Sequence, residues 1–553
     1  MNDRVSRAEW PWAIAVSLAV VAFSALPYAV GYLAQTPGLR FAGGVFDLED
    51  YHSYLARMWQ GYRGEWRFRL LFTPEAHEGA YFQPFHIALG HLARLTGLGL
   101  PLTYQVARVV SGFLMLLVVY RFIARFVAPV HTRRMAFLLA ATSSGLGWLV
   151  EMVHSTLPGG ISPVDFWFID AYTFFSLFIV PHFSVAIALL LSTYGVLLRL
   201  AGEVDDPSPA TAVRLQDGMV VVLFSWGLGL IHPYALLLAD LIPVLYLAWR
   251  VVAKRRLPAR LLVALVLMGL AQAPLLLYDY RVFTTSPVFR SWATQNATLS
   301  PPPTYYLLGY GVVALLAAWG VRPALRSSSR VPFLLLWIVA ACALAYLPWG
   351  LQRRFVEGVH VGLCVLAGYG LVDGLNLVLA RPLEWMARLL RYSTRRLRWL
   401  AQALILVLAA LSNLYLVSGY TLAASARHPA LFHTADEVAA VEWLDRNSEW
   451  DETVLAAYET GNWIAGTIGH RVVLGHWAET VDHEVKRVQV TAFYGAGTTD
   501  LERRDLLDRW GVRYVYVGPL EQALGGFEPA FVSYLEPAFS RGDVAVYRVR
   551  ERP

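Results

Sequence analysis

Charge is scarce in this chain, and lysine scarcer still. Asp, Glu, Lys and Arg make up 16% of its 553 residues, where a soluble domain carries about 25%. Lysine occurs only at Lys254 and Lys486, so arginine supplies nearly all of the net charge of +6; this usage reflects genome composition more than function. The two cysteines, Cys342 and Cys364, fall inside apolar segments, which argues against a structural disulfide. No Walker A loop is present, which argues against nucleotide-driven transport. No HExxH or CxxC pattern supports a zinc site. No internal repeat is visible, which weighs against a secondary transporter built from inverted halves.

Apolar residues dominate instead, at 57%, with 13% aromatic residues and 19 Trp. Runs of about 20 apolar residues suffice to cross a bilayer. They are expected at 11–33, 103–127, 134–153, 172–200, 218–232, 233–251, 260–279, 304–321, 331–350, 355–379 and 399–422, or about eleven spans. The stretch 218–251 is too long for one span and breaks at His232-Pro233. Arg4 and Arg7 precede the first run, which lacks a small-residue cleavage site and reads as an uncleaved helix.

Arginine clusters then orient the spans by the positive-inside rule. With the N-terminus in the cytoplasm, the inner segments hold Arg133/Arg134, Arg255/Arg256/Arg260, Arg322/Arg326/Arg330 and Arg391/Arg395/Arg396/Arg398. One inner loop, 201–217, runs against the rule with Glu203, Asp205 and Asp206. One helix beyond the last basic cluster, the C-terminal region lies outside the cytoplasm. The expected organisation is a transmembrane domain over 1–424, with a long first outer loop at 34–101, and an extracytoplasmic α/β domain over 425–553. Thr434-x-x-Glu437 and Thr499-x-x-Glu502 are capping boxes in that domain, and TVLAAY, RVVLG, RYVYVG and DVAVYRV read as short strands.

Chemistry is expected first at Asp47, Glu49 and Asp50, just past the first span. Charge at a membrane face is costly and usually functional. Glu49 and Asp50 open an amphipathic helix whose dipole favours them, and His52 and Tyr54 follow. One carboxylate there can serve as general base toward a hydroxyl, and Asp47 with Asp50 can offer oxygen ligands to a divalent cation. The plain alternative is a solvated helix N-terminus.

A second candidate is Arg353, Glu357 and His360, with Arg354 alongside. Their i, i+4, i+7 spacing puts the first three on one helix face, and an arginine at that depth suits a phosphate. The alternative is an Arg–Glu pair with a snorkelling arginine. His182, His232 and His360 read as core histidines, and Asp240 and Asp279 as further ionisable candidates. Trp292, Tyr305, Tyr306 and Tyr310 can stack on a sugar or an isoprenoid, or simply anchor the interface. The run Glu75-Ala-His77-Glu78 reads as a solvated loop, with a metal ligand as its alternative. His476 and Glu479 in GHWAET read as a structured loop ending a strand, with a place facing the acceptor as the alternative.

This layout resembles the GT-C class of integral-membrane glycosyltransferases, which includes protein O-mannosyltransferases, oligosaccharyltransferase catalytic subunits and lipid A aminoarabinose transferases. The resemblance rests on the acidic motif after the first span. There Glu49-Asp50 with Tyr54 stands where the class often has Asp-Glu and a following Tyr. It extends through DYHSYLARMWQGYRGEW, TPEAHEG, SSGLGWL, QNATLSPPPTYYLLGYG, QRRFVEGVHVGLCVLAGYGL and VLGHWAETVD, runs similar to those of uncharacterised bacterial members.

The resemblance implies a polytopic α-helical protein of the plasma (inner) membrane. It also implies a polyprenyl-phosphate-linked sugar as donor and an acceptor that is a lipid, a protein or a polysaccharide, with no nucleic acid among the partners. Inversion at the anomeric carbon follows, with Asp47, Glu49 or Asp50 as base and Arg353 or Arg354 at the donor phosphate. His52, Tyr54, Glu357, His360, Trp292 and Tyr305 are then candidates to bind substrate, and a divalent cation (Mg or Mn) is an option rather than a rule. The rival readings are a transporter or lipid flippase and a non-catalytic scaffold.

Overall fold

The computed structural model describes residues 5–152, 163–202 and 215–551; Arg4 and the acidic residues Glu203, Asp205 and Asp206 lie outside them. Among the described residues eight helices are long and apolar enough to cross a membrane: Trp10–Leu33 (α1), Leu100–Ile123, Pro181–Leu200, Ala235–Lys254, Ala259–Thr285, Pro303–Ser327, Gln352–Gly374 and Thr394–Ser425. Two shorter apolar helices, Gln216–Ile231 and Val331–Leu344, accompany them. The chain is a multi-pass membrane protein.

The differences from the expected eleven spans have local causes. The run expected at 134–153 is broken into a helix over Val130–Thr142, 13 residues long, and a short one over Gly147–Met152. After it, Ser144 and Leu146 donate their N–H groups to the carbonyls of Ala409 and Leu308, and Gly145 and Gly147 donate to Asp165. A Cβ on Gly145 would collide with the carbonyl of Gly309, so residues 143–146 are non-helical chain packed against backbone. The run at 172–200 is cut at Pro181, which lacks an N–H for a continuous helix, into Thr173–Ile179 and Pro181–Leu200. The expected break at His232-Pro233 is present: one helix ends at Ile231 and the next starts at Ala235.

The chain divides into two compact units. The first comprises Met1–Leu26, Ala107–Leu276 and Thr298–Gly419; the second comprises Pro27–Val106, Leu277–Ala297 and Tyr420–Pro553. The second unit thus takes in the first loop after α1 together with the C-terminal region.

Within the second unit, Leu48–Arg63 (α2) and Phe85–Thr96 (α3) pack backbone to backbone. A Cβ at Gly61 would land on the carbonyl of Ile87, and one at Gly90 on the carbonyl of Met58. Strand β1 (Leu39–Phe41) pairs antiparallel with β2 (Phe432–Thr434), with Arg40 opposite His433. The main sheet runs β3 (Thr453–Leu455), β4 (Val512–Val517), β6 (Val544–Val549), β5 (Leu535–Arg541). The β3–β4 pair is parallel and the other pairs are antiparallel.

Both expected capping boxes form, opening the helices Ala435–Asn447 and Asp500–Arg509. RVVLG is not a strand of its own; it contributes a single bridge, Val454 to Val472. One core lies under the sheet around Val454, Ile464, Tyr514 and Val546, and another around Leu455, Phe493, Val515 and Val549.

Candidate active site

The acids gather at the start of α2. Asp47 is its N-cap, in the left-handed region at φ 45°, ψ 63°, a conformation Asp tolerates because its short side chain can bond locally. Its Oδ1 accepts from the backbone N–H of Asp50 at 3.4 Å. Glu49 and Asp50 occupy the first turn, where free N–H groups and the helix dipole favour negative charge.

Each of the three carboxylates has a different environment. Asp50 Oδ1 lies 2.7 Å from Nε2 of His476, and Oδ2 accepts from the Tyr54 hydroxyl at 3.2 Å. Glu49 accepts from the hydroxyl of Tyr458. Asp47 keeps an open edge to solvent, but protein encloses the rest of it. This enclosure, with the like charges of Asp50 and Glu49, pushes its pKa up to about 7.

The loop carrying His476 is bonded along α2. Asp50, Ser53 and Arg57 recur at i, i+3 and i+7 on one helix face. His476 meets the first, while Glu479, three residues on, accepts from Ser53 Oγ at 2.6 Å and from Arg57 Nη2 at 2.7 Å. The Glu479 and Arg57 side chains are only 2% and 7% exposed, so each depends on the other for compensation. Arg57 also donates to Gln83 at 2.6 Å and lies over the Phe68 ring, 4.5 Å from its centroid.

Two influences oppose each other at His476. Burial disfavours charge on the ring, and the N–H of Ala478 donates to Nδ1 at 3.2 Å. The hydrogen bond and charge of Asp50, with the charges of Glu479 and Glu49, outweigh burial and push the pKa up to about 9. In either protonation state Nε2 bears the hydrogen that Asp50 accepts.

The other expected residues of this unit have packing or supporting places. His52 faces away from the acids, against Gly466, where a Cβ would clash with it; burial pulls its pKa down to about 3. Tyr54 stacks on His86 with centroids 4.4 Å apart, which aims its hydroxyl at Asp50. Trp292 is buried in an apolar cluster with Phe68, Phe82 and Phe289 rather than displayed as a stacking surface. Both ring nitrogens of His77 are occupied, by the N–H of Leu70 and the carbonyl of Glu75, and Glu75 is paired with Lys486 Nζ at 2.6 Å. Among the described residues no three His, Cys, Asp or Glu side chains converge in a way that could hold a metal ion. One oxygen of Glu49 and both oxygens of Asp50 already accept protein hydrogen bonds.

In the first unit the expected stripe takes another shape. Gln352–Val356 is a 3-10 turn, Glu357 is extended and Gly358 has φ 75°. The α-helix begins only at Val359, so Arg353, Glu357 and His360 do not share one α-helical face. Arg354 Nη1 is 3.0 and 2.8 Å from the two carboxylate oxygens of Asp170, whose side chain is 1% exposed. Its guanidinium also lies against Phe183 and Tyr234. Tyr234 stacks on His232, and His232 Nδ1 bonds the fully buried Glu357 at 2.8 Å. The Arg353 guanidinium crosses the faces of Trp167 and Phe168 at 5.1 and 5.6 Å. His360 is a core histidine, bonded at its two nitrogens to Ser143 and Thr173. Tyr305 is buried as well.

Reasoning from sequence alone passed over Asp170, Tyr458 and the part played by His476. Asp170 did leave a signal, as a lone acid in the apolar run FWFIDAYTFF. Tyr458 and His476 are more than 400 residues from their partners, with separations of 409 and 426, and no local pattern marks them.

No protein-family model matches the chain, and no curated protein matches it. Solved structures do. The oligosaccharyltransferase AglB from Archaeoglobus fulgidus, in complex with an inhibitory peptide and a dolichol-phosphate, matches over 92% of this chain and 70% of its own with TM-score 0.52 and 16% identity. The same archaeal oligosaccharyltransferase is also known in complex with Zn and sulfate. ArnT from Cupriavidus metallidurans, bound to undecaprenyl phosphate, matches over 98% of both chains with TM-score 0.52 and 14% identity.

The chain has the GT-C fold. The arabinofuranosyltransferase AftD from Mycobacteria extends the likeness, with TM-score 0.52 and 14% identity over 99% of this chain; this chain spans 40% of AftD. Identities this low carry the GT-C architecture and leave substrate open.

Proposed function

We propose that this protein is a membrane glycosyltransferase that moves a sugar from a polyprenyl-phosphate carrier to an acceptor hydroxyl on the extracytoplasmic face. The observation that carries the reading is the carboxylate of Asp50, held by His476 and Tyr54 at the N-terminus of α2, within a GT-C fold. Support for the donor class comes from the dolichol-phosphate and undecaprenyl phosphate bound by two proteins of like fold.

In the reaction the acceptor oxygen attacks the anomeric carbon as the bond from that carbon to the phosphate oxygen breaks. The configuration inverts, the phosphate leaves with the electron pair, and Asp50 accepts the hydroxyl proton. We assign Asp50 rather than Asp47 because Asp47 caps the helix, its side chain accepting from the Asp50 N–H. Glu49 is engaged by Tyr458. Arg353, whose guanidinium lies over the rings of Trp167 and Phe168, is assigned to the departing phosphate. A guanidinium facing developing phosphate charge stabilises the transition state more than the ground state.

The test is sugar transfer by the protein in lipid nanodiscs, supplied with a panel of polyprenyl-phosphate sugars and extracted membrane acceptors. Asp50→Asn is expected to lower kcat by about 100-fold or more. Arg353→Ala is expected to lower kcat/KM by about 100-fold, and EDTA to leave the rate unchanged. A folded wild-type protein that neither binds nor consumes any such donor removes the reading and turns attention to transport.

A further inference from the structure

We infer that His476, from the C-terminal part of the chain, is a positioning residue for Asp50: it donates Nε2–H to one carboxylate oxygen and so fixes the rotamer and ionised state in which Asp50 receives the acceptor proton. This role rests on the glycosyl transfer reading above, and it gives a task to a histidine that the sequence placed in a structured loop.

Three geometric facts support it. The Nε2 to Oδ1 distance is 2.7 Å, with the His476 side chain 7% and that of Asp50 32% exposed. The donor is therefore withdrawn from water while the acid keeps an open edge. The ring cannot easily turn away, because it lies against Phe72 and Trp477. The loop is also clamped at a second point, one helical turn further along α2, where Glu479 binds Ser53 and Arg57. Two anchors three residues apart on the loop thus meet acceptor and donors on one face of α2.

With Tyr54 donating to Oδ2, both oxygens of Asp50 are held. Hydrogen bonds to a carboxylate favour its charged form, which is the form a base requires. The charged and titratable groups facing His476 are Asp50, Glu479, Glu49 and Asp47. All are acids, so the ring retains its Nε2 hydrogen across the working pH range.

The two amide isosteres separate positioning from folding. The Gln amide nitrogen falls near Nε2 and preserves the bond to Asp50. Asn falls near Nδ1, where it preserves the bond to Ala478 but cannot reach Asp50. In the nanodisc assay His476→Asn is expected to lower kcat about 10- to 100-fold, the range typical of a lost orienting hydrogen bond, with donor KM unchanged. The acid limb of its pH–rate profile should move to higher pH, because Asp50 loses a donor to its charged form. His476→Gln keeps the hydrogen bond but not the ring's charge, so its limb should move less than that of His476→Asn, with kcat near wild type.

Folded His476→Asn with wild-type kcat and pH profile overturns the role while leaving the transfer reading intact. An inactive wild type overturns both. Should His476→Asn fail to fold, a kcat lowered about 10-fold or more in folded His476→Gln, which keeps the bond to Asp50, overturns the role by itself.

Discussion

At the scale of single residues, the informative contrast is between acids that differ by three positions. Asp47 and Asp50 belong to one helix start, yet Asp50 is held by two donors while Asp47 faces its own kind. A carboxyl raised from 3.8 to about 7 binds a proton more tightly folded than unfolded. Its ionisation therefore costs stability, by an amount absent below pH 3.8 and complete above pH 7. Asparagine caps helices as well as aspartate does and tolerates the same left-handed backbone. Asp47→Asn is thus expected to be the more stable protein at pH 8. The gain is about 1 kcal/mol, since solvent at the open edge screens much of the repulsion, and it vanishes at pH 4. Thermal unfolding at the two pH values checks it, and an equal change at both would refute the cause. In the first unit, Asp170→Asn strips the buried partner from Arg354 and is expected to cost about 3–5 kcal/mol, read as a lower Tm.

At the scale of elements, α2 acts as a scaffold that leaves little freedom to its neighbours. One face bonds the 476–479 loop and another meets α3 at Gly61 and Gly90, where backbone touches backbone. Overpacking such a contact costs typically about 1–3 kcal/mol, and here the obstacle is a carbonyl rather than a flexible side chain. Gly90→Ala is expected to lower Tm and, by tilting α2, to reduce kcat; a variant with wild-type Tm would show that the helices can part without cost. Elsewhere glycine and proline reshape the apolar runs. The non-helical segment 143–146 and the cut before Pro181 turn long hydrophobic stretches into shorter helices with bends. Hydropathy registers such stretches as continuous spans because it weighs composition and is blind to close backbone approach.

At the scale of the whole molecule, eight long apolar helices among the described residues and a GT-C architecture accompany a C-terminal four-stranded sheet. By the positive-inside rule the arginine clusters lead us to propose an extracytoplasmic C-terminal region. Val488, 66% exposed on a helix of the second unit, offers a direct test. In a background with Cys342→Ala and Cys364→Ala, Val488→Cys in intact cells is expected to react with a membrane-impermeant maleimide. Labelling only after the membrane is opened would invert the topology and move the acids to the cytoplasmic face.

Several features were legible from the residues alone, each for a local reason. Apolar runs cross membranes because a buried helix satisfies its own backbone, capping boxes and the His232-Pro233 break follow from nearest neighbours, and the acids at the start of α2 stood out against an apolar background. Sequence also suggested the GT-C architecture that the solved structures share. The tertiary structure decided what those groups touch. Asp50 meets His476 and Glu49 meets Tyr458 across 426 and 409 residues, and Arg354 meets Asp170 across 184. Hydrogen bonds and ion pairs act over a few ångströms, whereas sequence patterns report only neighbours along the chain. The assignment of Asp50 as base and of Arg353 to the phosphate therefore depends on contacts that become visible only when the chain has folded back on itself.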